Sequence, residues 1–436
     1  MNSAELQLAS KMGEQLSYYA AKNTKKSALY DGSHFAATYD IAIPPSFRGL
    51  NAVLGWAEIV VDVLEQRLDF YGYTDPNELG LNKFFEDNQL EVEQSVIHHD
   101  SLTYGTGFAV LGRGDTGEPD VLITPESPST MTGIYNRRYR RLDAAYSVDT
   151  VDETAMLYLP DVSILMDISG TTPREISRDE HRLGRVPVVR WDNRTRSSGS
   201  GKSELSRAVE YLQDAAARTA LRMEISSAAY SSPREVILGG DKDLLEGQTQ
   251  WSSYLGRVRQ IPWADDEDSK TNPSMMQLAQ ADPTPFIEQI NLFATQLAAS
   301  VGFPKTYLGV TENQPTSADA IKAGEVRLVN RAKRRQNIFS QAWLEVARLA
   351  CLIRDGELPD LTGVGVRWQS ASSPTRAATA DALVKLVSAG VLPATSEVVL
   401  DELDLTAAQR ETILRERTEE QAHKLVQSLA ATRKDA

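Results

Sequence analysis

Residues 317–354 read SADAIKAGEVRLVNRAKRRQNIFSQAWLEVARLACLIR, and this stretch predicts one very long helix. Ser317 is a favourable N-cap, and Gly356 suits the far end of a helix. The apolar stripe drifts with the 3.6-residue period of a single helix and does not hold a heptad. Because Arg331 and Arg335 also interrupt that stripe, the pattern argues against a regular coiled coil.

Two shorter helices and a small interlude precede the long helix. The alanine-rich segment 203–230 repeats apolar residues at helical spacing. A second helix is predicted over 284–302, where a Gly-Phe-Pro sequence ends it, and a loop over 303–317 follows. The interlude, 231–283, has strand-like patterns and an acidic run made of Asp265, Asp266, Glu267 and Asp268.

The first 202 residues combine helices with strands. Helices are predicted before the turn pair Asp31-Gly32, from about Asn51, and over Phe84 to Leu102. Short strands then follow, separated by turn residues: DVLIT, TGIYN, DAAYSV, AMLYL, SILMD and VPVVRW. This region is predicted to be an α+β unit with an antiparallel sheet. After the long helix, a strand (GVGVRWQS) and further helices complete a fold that is α+β and mostly helical.

The composition sets limits on function. The 436 residues carry a formal net charge of −14, which argues against tight, sequence-reading DNA binding. It does not exclude a protein past which DNA must slide, because strong attraction to phosphates would hold a duplex still. The single cysteine, Cys351, allows no intramolecular disulfide and is expected to be buried. We find no signal peptide and no long apolar run, so no membrane association is expected.

The segment SSGSGKSE (197–204) contains part of a phosphate-binding P-loop signature. Gly201, Lys202 and Ser203 follow a predicted strand and precede a predicted helix. However, Arg196 stands where the signature needs its first glycine, and a side chain there would hinder the tight turn around a phosphate. A loop with a serine helix cap is the simpler interpretation. The alternative, a nucleotide-binding hydrolase, predicts ATPase activity that is lost in Lys202→Ala.

Histidines and acids do not form a persuasive metal or catalytic site. His98 and His99 are adjacent on a predicted helix, so their side chains point about 100° apart and cannot easily chelate one ion. The other histidines, His34, His181 and His423, are scattered along the chain. No enzymatic activity, catalytic residue, cofactor or metal is predicted.

A basic stripe is predicted on the long helix. Its members recur roughly one turn apart and are Arg327, Arg331, Arg334 and Arg335. Two interpretations remain open. The arginines either pair with acids, such as Glu325, Glu345 or those of a neighbouring subunit, or they contact phosphates of DNA.

Five segments, in order, resemble the portal proteins of tailed bacteriophages. The resemblance covers roughly residues 50–405. A helix ending at Tyr-Gly before a strand lies in FFEDNQLEVEQSVIHHDSLTYGTGFAVLG, and a Leu-Gly-x-Val-Pro stretch lies in HRLGRVPVVRWDNRT. The other three segments are GKSELSRAVEYLQDAAARTALRMEISSAAYSSPREVILG, SVGFPKTYLGVTENQPTSADAIKAGEVRLV and ADALVKLVSAGVLPATSEVVL.

The resemblance implies a portal-type ring subunit and a division of the chain into parts. These are a wing (1–202), stem helix 1 (203–230), a clip (231–283), stem helix 2 (284–302), a tunnel loop (303–317), a spine helix with a returning wing strand (318–370), and a helical C-terminal crown (371–436). The tunnel loop would face DNA through Lys305, Thr306, Tyr307, Asn313 and Gln314. The clip would offer its acidic run, Asp265, Asp266, Glu267 and Asp268, for docking.

The same resemblance implies the partners and the location. Portal proteins form a homo-oligomeric ring, usually of twelve subunits, at one capsid vertex of the virion, and they are assembled in the host cytoplasm. Double-stranded DNA passes through the ring without sequence specificity during packaging and ejection. The terminase large subunit, the major capsid and scaffolding proteins, and a head-tail adaptor are the expected protein partners.

A third hypothesis is an unrelated oligomeric scaffold in which the long helix forms a coiled coil. Electron microscopy of the purified chain separates the three hypotheses, because only a portal protein should give rings with a central hole.

Overall fold

The computed structural model describes residues 1–35, 52–195, 199, 201–230, 234–240, 258–262, 274–278, 282–310, 318–372 and 376–393, together with 396, 399, 409, 412, 413 and 415–419. The chain divides into two units, Met1–Gln369 and Ser370–Ala436. Within the described ranges, no helix combines the length and apolar character needed to cross a lipid bilayer. The predicted mixture of helix and sheet is confirmed.

The N-terminal helix, α1 (Ser3–Tyr30), covers one face of a sheet. A capping box starts it, since Asn2 accepts a hydrogen bond from the Glu5 backbone and the Glu5 side chain accepts one in return. The helix ends at Asp31, as the turn pair predicts. Its buried residues Ala9 and Met12 pack against the apolar face of the antiparallel sheet, so α1 belongs to the core of the first unit.

The sheet region comprises two antiparallel sheets. One has three strands in the order β3-β2-β9, with β2 (Thr106–Arg113), β3 (Val121–Glu126) and β9 (Val188–Asp192). The other is a five-stranded meander of β4 (Met131–Asn136), β5 (Arg141–Asp149), β6 (Thr154–Tyr158), β7 (Ser163–Asp167) and β8 (Arg174–Asp179). The six predicted strands are present. The edge strand β8 escaped prediction because it is almost wholly exposed and lacks apolar alternation.

The helices before these sheets differ from their predicted bounds. Helix α2 (Trp56–Glu65) begins after Gly55 and not near Asn51. The helix expected over Phe84 to Leu102 is divided into α3 (Leu81–Asp87) and α4 (Leu90–Tyr104). The break occurs because the Asn88 side chain bonds the backbone of β3 at Val121 and Ile123 (2.9 and 2.8 Å). Strand β1 (Phe70–Thr74) lies between α2 and α3.

The remaining elements follow the predicted order. Helix α5 (Arg207–Tyr230) leads to a small sheet of β10 (Arg234–Gly240), β11 (Val258–Pro262) and β12 (Ser274–Leu278), in the order β11-β10-β12. Helix α6 (Thr284–Val301) returns beside α5, and Thr219 of α5 donates to Gln289 of α6 at 3.2 Å. After α6 come a 3-10 turn (Lys305–Leu308), the long α7 (Ala318–Asp355), β13 (Gly365–Trp368) and α8 (Arg376–Ser388).

The long helix α7 joins the N-terminal part of the chain through an aromatic core. Its 38 residues span about 57 Å. Trp343 stacks on Phe70 at 4.5 Å between ring centroids and meets Trp191 edge-on at 5.1 Å. Strand β13 then pairs antiparallel with β1, placing Trp368 opposite Phe70. Helix α7 and strand β13 therefore pack against β1 and β9, which come much earlier in the chain.

His98 lies inside this aromatic core and does not face His99. Its imidazole is fully buried, stacks on Phe339 at 5.0 Å, and accepts a hydrogen bond from the Trp343 indole at 3.1 Å. His99 instead contacts the Tyr30 ring at 4.5 Å. The two adjacent histidine side chains therefore contact different parts of the protein, as their helical spacing predicts.

Lowering the pH from 7 to 5 is expected to destabilise the first unit by about 2 kcal/mol through His98 alone. Burial lowers the pKa of His98 to about 3, whereas the unfolded chain has an ordinary histidine pKa. The unfolded state therefore binds the extra proton first, and stability is lost as the pH falls below about 6.5. The measurement is urea unfolding of the wild type and His98→Gln at both pH values.

Glutamine can accept the Trp343 hydrogen bond but does not titrate, so other titrating groups cancel when the two proteins are compared. We expect the wild type to lose about 2 kcal/mol more than the variant. Equal losses in both proteins would show that His98 is not the buried neutral histidine described above.

Candidate functional site

A buried ionic cluster centred on Glu204 joins the segment before α5 to α7. The Glu204 side chain is only 2% exposed. Arg335 donates to one carboxylate oxygen at 2.6 Å, and Arg331 donates to the other at 2.7 Å. Asn193 and Arg194 add longer contacts at 3.1 and 3.4 Å. A segment just before α5 is thereby joined to the middle of α7.

Charge pairing keeps Glu204 ionised despite its burial. Burial alone would raise its pKa, but the positive charges of Arg331 and Arg335 outweigh that effect and bring the pKa below its ordinary value. The carboxylate therefore remains negative at neutral pH, with its oxygens held by hydrogen bonds. Such a pair positions the segments that carry it, because any displacement would leave a charge buried and unpaired.

Two arginines of α7 also hold the C-terminal end of α6. Arg327 donates to the carbonyl of Ala299 at 2.8 Å, and Arg331 donates to the carbonyl of Val301. These carbonyls lie in the last turn of α6, where helix carbonyls lack intrahelical partners and attract positive charge. Gly302 then takes a left-handed conformation that turns the chain away from α6.

The 3-10 turn that follows is anchored by a tyrosine. The Tyr307 hydroxyl donates to Glu325 of α7 at 2.6 Å and accepts from Arg67 at 3.2 Å. Its ring meets the buried Phe303 ring edge-on at 5.9 Å. Desolvation and the nearby Glu325 raise the pKa of Tyr307, so the hydroxyl keeps its proton and can donate. Residues 305–308 are therefore a packed turn.

The residues predicted to face DNA occupy different positions. Thr306 is exposed and Lys305 is half-buried, whereas the Tyr307 hydroxyl belongs to the Arg67–Glu325 network. Asn313 and Gln314 lie outside the described residues, as do the four acids of the clip, Asp265, Asp266, Glu267 and Asp268. The loop predicted over 303–317 therefore contains a 3-10 turn near its start.

The basic stripe divides into inward and outward members. Arg331 and Arg335 are directed at Glu204 of the same chain, and Arg327 is bonded to the end of α6 while remaining exposed. Arg334 is exposed. The guanidiniums of Arg331 and Arg335 thus pair with an acid of the same chain. That acid is Glu204, and not Glu325 or Glu345.

In its described residues 201–203, the GSGKS segment does not have the geometry of a P-loop, which the hydrolase hypothesis requires. The amides of Lys202 and Glu204 donate to the carbonyls of Asn193 and Leu102 at 2.6 and 2.9 Å, so a phosphate could not receive them. A side chain at Gly201 would place its Cβ 1.6 Å from the carbonyl oxygen of Gly105. The glycine is needed for this close backbone approach.

The serine cap also differs from its prediction. Helix α5 begins at Arg207, four residues later than predicted, and the amides of Val209 and Glu210 bond Ser206. Ser203 is buried instead, with its hydroxyl bonded to the carbonyl of Thr103. The segment before α5 is therefore a packing element between α4 and α7.

Sequence reasoning overlooked Glu204 and Arg67. In the sequence, Glu204 is the last residue of the SSGSGKSE segment, and Arg67 falls at the end of an ordinary amphipathic helix. A signal did exist, because Arg331 and Arg335 at a spacing of four within an otherwise apolar stripe require a buried acid. Nothing in the sequence says which acid supplies it.

Comparison with known proteins identifies the family of this chain. The model of the family described as phage portal protein, SPP1 Gp6-like, matches residues 4–422. The chain therefore belongs to the SPP1 Gp6-like family of phage portal proteins, and the resemblance seen in the sequence is confirmed.

The chain is similar to individual portal proteins and to parts of solved structures. The portal protein of Mycobacterium phage D29 is 29% identical over 421 residues, covering 91% of this chain and 85% of the relative. That of Mycobacterium phage L5 is 28% identical over 405 residues, with 87% and 81% covered. Similar solved structures include a virion of a native gene transfer agent particle (TM-score 0.45) and a neck of an empty gene transfer agent particle computed with C6 symmetry (TM-score 0.48). Each is 12% identical and covers 80% of this chain and 90% of the other.

Proposed function

We propose that this portal protein is one subunit of a closed ring, usually of twelve copies, at one capsid vertex. Its central hole is the channel for DNA in packaging and ejection. The observation that carries the proposal is the anchored connection between α6 and α7. Arg327, Arg331 and Tyr307 hold its start, so residues 311–317 join two helices whose relative position is set.

Within the ring, the parts of the chain take separate roles. Residues 1–202 form the wing, 203–230 and 284–302 the stem helices, and 231–283 the clip. The tunnel loop lies within 303–317, the spine helix with its returning strand within 318–370, and the crown within 371–436. Because 305–308 is a packed turn, we assign DNA contact to Lys305, Thr306, Asn313 and Gln314 and give Tyr307 an anchoring role.

Exposed apolar side chains support closure into a ring. Tyr211 of α5 is 62% exposed, Leu292 of α6 is 53% exposed, and Val326 of α7 is 55% exposed. We assign these side chains to the contact with another subunit, because apolar surface gains free energy when a second protein removes it from water. Copies of the same chain supply that surface in a heterologous interface that closes by rotation. Exposed Arg334 would lie near it, opposite acids of the next subunit.

The charge balance supports passage of DNA without sequence reading. The net charge of −14 per chain repels a duplex at the distances over which salt does not screen it. A few polar contacts from the tunnel loop then guide DNA without holding it. We assign the acidic run at 265–268 in the clip to docking of a basic surface on the terminase large subunit or on the head-tail adaptor. Capsid and scaffolding proteins would contact the wing, in the host cytoplasm during assembly.

Electron microscopy of the purified chain is expected to show annular particles with a central hole. The double variant Tyr211→Glu with Leu292→Glu should give mainly single subunits, because two charges per interface would have to be buried. Val151→Glu, on a turn where valine is 88% exposed, is the matched control and should leave the rings intact. A wild type that remains a single subunit at every concentration would contradict the proposed function.

A further inference from the structure

A set of three metal-ligand side chains lies between the end of α1 and the start of α5. One possible ligand atom from each of His34, Glu210 and Asp214 lies within 4.8 Å of the other two. The His34 Nε2 is 3.3 Å from one Asp214 oxygen and 3.4 Å from the other. All three side chains are half-buried. The sequence does not reveal this cluster, because His34 is about 180 residues away from Asp214 along the chain. Only the fold brings the possible ligands together.

We propose that His34, Glu210 and Asp214 bind one divalent transition-metal ion that ties the turn after α1 to the first two turns of α5. Glu210 and Asp214 are four residues apart on one helix, so the helix itself directs both carboxylates to the same side. The backbone amide of His34 donates to the carbonyl of Ala28 at 2.9 Å, which holds the histidine at the end of α1.

The donor set selects the class of metal. One imidazole nitrogen and two carboxylate oxygens, with water completing the coordination, suit Zn²⁺, Co²⁺ or Mn²⁺. Mg²⁺ and Ca²⁺ prefer sites made of oxygen donors alone and bind here more weakly. Ligands around a zinc ion lie about 2.0–2.2 Å from it, so small side-chain rotations would bring the three atoms from their present separations into coordination.

Lys25 of α1 competes with the metal. Its ammonium lies 2.6 Å from Glu210 while its side chain remains 53% exposed. Metal binding must displace this ammonium from the carboxylate, and its exposed side chain can then extend into water. Removing the lysine charge should therefore strengthen metal binding, whereas removing a ligand should weaken it. A variant that only unfolds the protein would weaken metal binding, so tighter binding by the lysine variant cannot result from a loss of folding.

The experiment is calorimetric titration of the full-length chain, first stripped with a chelator, with Zn²⁺ and separately with Mg²⁺. We expect one Zn²⁺ per chain and weaker binding of Mg²⁺. His34→Ala and Asp214→Asn should each weaken Zn²⁺ binding at least about tenfold, since even outer partners of metal ligands are worth about 10–100-fold. Lys25→Ala should tighten it. Co²⁺ should show a visible absorption band that disappears in His34→Ala.

Two control variants separate the site from general surface binding. His181→Ala removes a distant histidine, and Glu224→Gln removes an exposed charge from the same helix α5. Both should bind Zn²⁺ like the wild type. No Zn²⁺ binding by the wild type, or equal binding by wild type and His34→Ala, would overturn the inference. The proposed portal function would stand in either case, since all three ligands belong to one chain and the ring test does not involve them.

Discussion

Replacing Glu204 with alanine is expected to lower the free energy of unfolding by about 3–5 kcal/mol, because it leaves buried arginine charges without a partner. Arg335 is 7% exposed and Arg331 16% exposed, so neither guanidinium can easily return to water. The segment before α5 would also separate from α7. The measurement is chemical unfolding at pH 7, followed by circular dichroism.

The matched control is Glu180→Ala, which removes an acid from an exposed pair with Arg182. Exposed pairs contribute about 0–1 kcal/mol, so this variant should unfold nearly like the wild type. A triple variant, Glu204→Leu with Arg331→Met and Arg335→Met, should recover much of the lost stability, because the apolar replacements remove all three charges of the buried cluster. A Glu204→Ala protein as stable as Glu180→Ala would show that the cluster does not hold the two segments.

Replacing residues 311–317 with a short Gly-Ser linker is expected to spare ring assembly and to impair DNA packaging or retention. Ring assembly should survive because the anchors that hold α6 and α7, Arg327, Arg331 and Tyr307, all lie outside the replaced segment. DNA handling should suffer because the replacement removes Asn313 and Gln314, which we assign to the channel. The measurement is nuclease-protected DNA per particle in phage assembled with the variant.

A linker of the same composition in place of residues 150–152, the exposed turn between β5 and β6, serves as the control. It should change neither ring assembly nor packaging. Normal packaging by the 311–317 variant would show that this segment does not act as the tunnel loop. Loss of soluble rings would instead show that residues 311–317 are needed for assembly. It would contradict the proposal that Arg327, Arg331 and Tyr307 hold the helices while 311–317 contacts DNA.

Local periodicity and chain-breaking residues predicted most of the individual elements. The six expected strands are present, α1 ends at Asp31, and α7 extends to Asp355 before the left-handed Gly356. Cys351 is buried in α7, as its apolar surroundings indicate. Errors arose where a tertiary contact overrode the local pattern. The break at Asn88 and the late start of α5 both follow from bonds to distant backbone atoms.

The candidate site was less predictable than the fold. The sequence placed Arg331 and Arg335 on the long helix and left open whether an acid or DNA meets them. Glu204 lies 127 and 131 residues away from these two arginines, and only the folded chain brings the three together. The same holds for Tyr307, whose partner Arg67 is 240 residues away. Spacing along a helix defines a shared face but does not identify the segment packed against it.

The sequence by itself determined the order of helices and strands and the family, because both depend on short patterns that succeed one another along the chain. Only the tertiary structure decided which charges are engaged within the chain and which are exposed. The physical reason is that a charge is stabilised by whatever lies within a few ångströms of it, and that neighbourhood is created when remote segments pack together.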